Sequence, residues 1–167
     1  LIALQEMNLN YFYPSIYWAT ACLTVNSGGA DEDSNGTTNY GKLSAAIGRI
    51  KNQDITVALP NVNLAKMSFT PDAENNTIVY GLKGITRVTE PVINEIMMNR
   101  PFSSLQDFLT RTNSRVATKD KVINLIKCGA FDKVENKTRR EILNDYIWKI
   151  CEPKSKLTMQ NMNMLID

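Results

Sequence analysis

Hydrophobic positions along the first third of the chain recur at the spacing of amphipathic helices. Apolar residues share one helical face over residues 1–10, 15–25 and 39–53. Pro14 separates the first two segments, because proline disfavours helix in the residue before it. The polar, glycine-containing stretch at 26–38 predicts a loop between the second and third helices.

The middle of the chain changes to the alternating pattern of β-strands, and the remainder returns to helical spacing. Three short strands are predicted, at 55–59, 67–70 and 77–80. Four further helices are predicted, at 90–99, after a capping Ser103 or Ser104, at 118–127, and at 138–151. The predicted fold class is therefore α+β and mostly α, with short helices and one small β element.

Residues 81–90 predict two short helices joined by a tight turn. The second helix opens with Glu90-Pro91, which puts proline in the first turn, where its missing N–H is not needed. A helix that begins in this way points backbone N–H groups outward and attracts anions. Arg87 in the turn and Lys83 nearby suit a phosphate diester, although an ordinary packing corner would give the same pattern.

Residue types that support catalysis are scarce. The chain has no His and only three Cys, which are far apart, so imidazole metal sites and Cys-x-x-Cys motifs are excluded. The acidic residues are scattered singly, and we predict neither a catalytic residue nor a metal site. Residues 31–36 match the first half of a calcium loop, but Lys42 occupies the place of its bidentate carboxylate, which favours a solvated loop.

Charge is unevenly distributed along the sequence. The first 75 residues carry four Lys or Arg against seven Asp or Glu, and the remainder carries 15 against 10, which gives net charges of −3 and +5. This asymmetry indicates an anionic partner for the second part, with solvated helix faces as the alternative. No apolar run approaches the ~20 residues that cross a bilayer, so no membrane partner is expected.

Several short sequence blocks follow one another in a characteristic order. They are Tyr13-Pro14, LPNVN at 59–63, Phe69, IVYGL at 78–82, RPFSSLQDF at 100–108, and LIKCGAFD at 125–132. Each block is weakly specific alone, but the ordered series resembles the alpha subunit of bacterial DNA polymerase III, a C-family replicative polymerase. The resemblance covers about residues 2–132, and its divergence suits a phage-encoded member.

The resemblance implies the end of a fingers domain followed by a clamp-binding region with a helix-hairpin-helix-like unit. The polymerase aspartates and the Mg²⁺ of the parent enzyme would then lie upstream. The chain is accordingly expected to be a piece of a longer cytoplasmic protein and to be inactive alone, with no cofactor of its own. Three units are predicted, at 1–54, 55–132 and 133–167.

The resemblance also implies which residues bind DNA. In that family the hairpin normally reads Gly-Val-Gly before Glu, and the matching positions here are Arg87, Val88 and Thr89. Loss of both glycines removes bare backbone from the turn, so side chains would contact the phosphates instead. The predicted contacts to double-stranded DNA are Lys83, Arg87, Thr89, Lys119 and Lys121.

The C-terminal tail resembles the family's short peptide for a sliding clamp, with Asn161 in place of Gln. Met164 and Leu165 would enter an apolar pocket of the clamp, although a frayed, Met-rich terminus has the same composition. Two hypotheses follow. The chain binds the duplex DNA backbone and positions the clamp, or it is a replisome interaction scaffold that does not bind DNA directly.

Overall fold

The computed structural model of the chain describes residues 2–29 and 40–150. Eight α-helices lie in this part: α1 Ile2–Phe12, α2 Ser15–Thr24, α3 Tyr40–Lys51, α4 Glu90–Asn99, α5 Leu105–Arg111, α6 Lys119–Lys127, α7 Asp132–Glu135 and α8 Arg139–Ile150. A π-helical turn, Val25–Gly29, continues α2, and a 3-10 turn, Leu82–Gly84, precedes α4. This content of helices beside one small sheet confirms the α+β, mostly α, fold class.

Local sequence signals set several helix ends. The Ser104 hydroxyl accepts a hydrogen bond from the Asp107 N–H at 3.0 Å and so caps the start of α5. Gly129, at φ 90°, follows the end of α6, where a left-handed residue satisfies the last carbonyls of the helix. The Asn26 and Ser27 side chains hydrogen-bond back to the Cys22 and Thr24 carbonyls. Helical geometry therefore extends through residues 26–29 of the predicted loop.

The sheet has three strands, β1 Thr56–Ala58, β2 Thr70–Asp72 and β3 Thr77–Val79, in the order β1-β3-β2. β1 pairs parallel with β3, and β2 pairs antiparallel with it. Pro71 lies in β2, which is an edge strand and tolerates a residue without an N–H.

The strand predicted at 67–70 begins only at its last residue, Thr70, because the backbone before it pairs elsewhere. The carbonyls of Lys66 and Met67 accept hydrogen bonds from the N–H groups of Leu82 and Lys83, each at 2.9 Å. Gly81 makes this approach possible, since a Cβ there would lie 2.5 Å from the Ser68 carbonyl carbon. The 3-10 turn is thus tied to the segment that precedes β2.

Two apolar clusters form the core. The larger joins the 3-10 turn to α4, α5, α6 and α8, and at its centre Phe108 makes edge contacts with Phe102 and Phe131 at centroid distances of 5.0 and 5.2 Å. The smaller packs α2 and α3 on the sheet, and Tyr80 contacts both clusters. The division of the chain at residues 54 and 132 stays a prediction.

Candidate nucleic-acid interface

The segment from the 3-10 turn to the start of α4 forms a hairpin, residues 82–90. Its apolar side chains enter the larger core, with Leu82 and Val88 at most 4% exposed. Lys83, Arg87 and Thr89 lie between these buried positions and are exposed. The hairpin is therefore held in place by its buried apolar side chains. Three of the predicted DNA-binding side chains lie together on its solvent-exposed surface.

Arg87 has a left-handed backbone, with φ 63°. The other non-glycine residues with positive φ in the described ranges are Asp54, Asn76 and Asn136, residue types that tolerate this region. Arginine does not tolerate the left-handed region in this way. The backbone at Arg87 therefore has a conformation that favours glycine, although the residue is an arginine. Thr89, at φ −90° and ψ 164°, is extended, a conformation open to any residue. Of the two positions that the sequence resemblance matches to glycine, only Arg87 lies in the left-handed region.

The start of α4 has spare hydrogen-bonding capacity. Thr89 is the N-cap, yet its hydroxyl forms no capping hydrogen bond. The Val92 and Ile93 N–H groups donate to the Thr89 carbonyl, and Pro91 has no N–H, which leaves the Glu90 N–H without a helical partner. An anion could therefore be bound by one backbone donor and one hydroxyl, against the repulsion of the Glu90 carboxylate.

An ion pair joins the hairpin to the start of α6. The Arg87 guanidinium lies 3.7 Å from the Asp120 carboxylate, and the two side chains are 68% and 57% exposed. A pair this exposed contributes little to stability. The contact shows that the turn before α4 lies beside the first turn of α6, whose N-cap, Thr118, also forms no side-chain capping hydrogen bond.

The two predicted lysines of α6 differ in their surroundings. Lys119 is the first residue of the helix and is partly exposed, directly beside Asp120. The Lys121 ammonium donates a hydrogen bond to the Val116 carbonyl at 3.0 Å, in a partly buried position. Lys119 can thus bind a nearby anion without breaking a hydrogen bond seen in the structure. Lys121 would first have to give up its hydrogen bond to the Val116 carbonyl.

Tyr40 completes the surroundings of the hairpin and was not among the predicted residues. It lines an open cleft of about 500 Å³ together with Lys83, Arg87, Thr89 and Glu90. Its contacts with the hairpin join residues more than 40 positions apart. Local sequence patterns do not predict a contact between residues so far apart in the chain, which is why Tyr40 was missed.

Two partly buried titratable groups of the described residues have raised pKa values. Burial raises the pKa of the Cys128 thiol to about 11 and that of Tyr80 to about 12, so both groups stay protonated near neutral pH. Within 2–29 and 40–150, no group of three His, Cys, Asp or Glu side chains could hold a metal ion. No helix in this part of the chain is long and apolar enough to cross a membrane.

Two of the sequence interpretations lie outside the described residues. These are the tail positions Asn161, Met164 and Leu165, and the acidic segment at 31–36.

Comparison with known proteins identifies the hairpin region. A family model described as a helix-hairpin-helix motif matches residues 54–142. The probable DNA polymerase YorL of Bacillus subtilis (strain 168) and the DNA-directed DNA polymerase of Bacillus phage SPbeta are each 49% identical to the chain over 174 aligned positions. The DNA polymerase III subunit alpha of Borreliella burgdorferi is 32% identical over 161 positions.

These alignments cover 100%, 100% and 93% of the chain, but only 13% of each relative. The chain therefore spans about an eighth of the length of the relatives it matches. They confirm the resemblance to DNA polymerase III alpha subunits that the ordered sequence blocks indicated.

Proposed function

We propose that this chain, which belongs to the helix-hairpin-helix family, binds the sugar–phosphate backbone of double-stranded DNA as part of a replicative DNA polymerase. Its relatives are named as DNA polymerases, and the family motif covers the hairpin. Nucleotidyl transfer and the Mg²⁺ that it requires would belong to other parts of such an enzyme. This region would act in the cytoplasm by holding the duplex behind the site of synthesis.

One observation carries the proposal. Arg87 is fixed in a left-handed turn, with its guanidinium exposed, beside Lys83 and the open N-terminus of α4. Cations, a free hydroxyl and a helix N-terminus together suit a phosphate diester. The hairpin is a short turn, not a helix that could enter the major groove, so we expect it to grip the backbone without reading bases.

The gain for a polymerase would be processivity. Each phosphate contact by Lys or Arg releases counterions and strengthens binding in a salt-dependent manner. Contacts made by Lys83, Arg87, Thr89 and Lys119 would keep a moving duplex close without fixing its register. If the tail at Asn161, Met164 and Leu165 also bound a sliding clamp, the second tether would raise the effective concentration of DNA at the hairpin.

Duplex binding by the 167-residue chain against salt concentration tests the proposal. We expect weak, sequence-independent affinity whose logarithm falls with the logarithm of the salt concentration. Arg87→Ala should weaken binding and make this slope shallower by about 0.9, the value for one phosphate contact. The control is Arg49→Ala, which removes an exposed arginine from the last turn of α3. Affinity independent of salt, or equal effects of the two variants, would refute DNA-backbone binding by the hairpin.

The second candidate function is a protein-interaction scaffold within the replisome. It is favoured by the apolar surface of α1, where Met7, Tyr11 and Phe12 are 69%, 83% and 72% exposed. Contiguous exposed apolar groups are typical of protein contacts. A pulldown with purified clamp and replisome subunits, beside the DNA titration, separates the candidates. A scaffold would capture a subunit and ignore the duplex.

A further inference from the structure

Tyr40 contacts the hairpin from the first turn of α3, a helix whose buried face belongs to the smaller core. Its hydroxyl donates a hydrogen bond to the Gly84 carbonyl oxygen at 3.4 Å and also hydrogen-bonds to the Thr86 hydroxyl. Tyr40 opens α3, which packs in the smaller core, whereas Thr86 directly precedes Arg87 in the turn. The Tyr40 side chain thus connects α3 to the segment that carries the exposed guanidinium.

The Gly84 carbonyl is held from two directions. The Tyr80 hydroxyl donates to the same oxygen at 3.2 Å, and a carbonyl oxygen has two lone pairs to accept both bonds. Because burial raises the pKa of Tyr80 to about 12, this hydroxyl remains a donor at any ordinary pH. If Thr86 donates to Tyr40, the bonds run continuously from Thr86 through Tyr40 to Gly84, at both ends of the bend before Arg87.

This external support matters because Arg87 lies in a backbone region that L-residues rarely adopt. Such conformations persist only where the surrounding structure determines them more than once. We infer that Tyr40 is a positioning residue of the hairpin: its hydroxyl holds Gly84 and Thr86 and thereby fixes the turn that presents Arg87 to the DNA backbone. The inference rests on the proposed DNA-binding function, and it adds a residue that would not itself touch DNA.

The test removes the hydroxyl and keeps the ring. Tyr40→Phe deletes both hydrogen bonds, and Tyr17→Phe is a matched control. The two tyrosines are 45% and 46% exposed. The Tyr17 hydroxyl, on α2, forms no hydrogen bond with any residue that the structure describes. Neither substitution opens a cavity in the core, so both variants should fold.

Two readouts on the full 167-residue chain separate positioning from general stability. The first is hydrogen exchange of the Val88 N–H without DNA, since this group donates to the Ile85 carbonyl at 3.1 Å and so reports closure of the turn. We expect faster exchange in Tyr40→Phe. The second is duplex affinity, which should fall by about three- to tenfold, the change expected for a lost hydrogen bond. Tyr17→Phe should change neither quantity.

A double-mutant cycle with Thr86→Val sharpens the test. If both residues act through their shared hydrogen bond, the two substitutions should not be additive. The double variant should then have the same duplex affinity as the single variant that binds duplex less tightly. Unchanged affinity in Tyr40→Phe, beside a loss in Arg87→Ala, overturns the inference and leaves the proposed function intact. If the wild-type chain does not bind duplex, the proposed function fails, whereas the exchange of Val88 still decides whether Tyr40 holds the turn.

Discussion

Replacing Arg87 by glycine and by alanine separates the two features combined at this position, the left-handed backbone and the positive charge. Both substitutions remove the guanidinium and its ion pair with Asp120. Only alanine retains a Cβ, and with it the cost of φ 63°. The difference between the two variants therefore isolates the backbone contribution to stability, and their shared loss isolates the contribution of the charge.

The expected magnitude follows from the backbone angles. A left-handed conformation costs an L-residue roughly 1–2 kcal/mol. Glycine avoids this cost but loses about 0.5–1 kcal/mol through the greater conformational entropy of the unfolded chain. The middle values of these two ranges differ by about 0.75 kcal/mol, so we expect Arg87→Gly to have a free energy of unfolding higher than that of Arg87→Ala by about this amount, which corresponds to a Tm about 1.5–3 °C higher for a chain of this size.

Urea unfolding followed by tryptophan fluorescence measures the stability difference, and fluorescence anisotropy with a labelled duplex measures affinity. Both variants should bind duplex more weakly than wild type, to a similar extent. If Arg87→Ala is as stable as Arg87→Gly, residue 87 does not have the left-handed backbone conformation that we describe. If Arg87→Gly keeps wild-type affinity, bare backbone is sufficient and the guanidinium does not bind phosphate.

Three further predictions concern the hairpin, the core and acid stability. Asp120→Asn removes the anion that competes with phosphate for Arg87, so duplex affinity should rise by about two- to fivefold in low salt, and a fall would show that Asp120 orients the guanidinium instead. Phe108→Ala deletes a fully buried ring and should lower the free energy of unfolding by about 3–5 kcal/mol in urea titrations, and a loss below about 1 kcal/mol would contradict its central place. A hydrogen bond from the Ser103 backbone N–H is the largest cause that lowers the pKa of Asp107. For Glu141, the largest cause of its lowered pKa is a hydrogen bond from the Thr138 side chain. Each carboxylate therefore contributes stability above its unfolded pKa that is lost as pH falls through its folded pKa, and Tm measured from pH 6 to pH 2 should decline, whereas a flat profile would contradict these contacts.

Helices with clear local signals could be predicted closely from the sequence. Glu90-Pro91 marks the start of α4, and Gly129 marks the end of α6, because proline and glycine restrict the backbone directly. The strand predicted at 67–70 was misplaced for a different reason. Alternation of side chains is satisfied by any extended segment, and here the backbone before Thr70 pairs with the 3-10 turn.

The candidate site divides in the same way. Lys83, Arg87 and Thr89 were accessible to sequence reasoning because they lie within one short hairpin. Tyr40 and Asp120 were missed, since their contacts with the hairpin depend on how α3 and α6 pack around it. The positive φ of Arg87 likewise cannot be predicted from the residue type, because arginine has no preference for this region. The only indication of it in the sequence is the resemblance, which matches this position to a glycine.

Chemical-shift mapping of the backbone amides tests DNA binding at the hairpin most directly. The ¹⁵N-labelled chain would be titrated with two short duplexes of unrelated sequence. We expect the largest shifts at residues 84–90 and 118–120, in the same pattern with both duplexes. Shifts confined to other surfaces, or different patterns for the two sequences, would contradict binding of the duplex backbone by the hairpin.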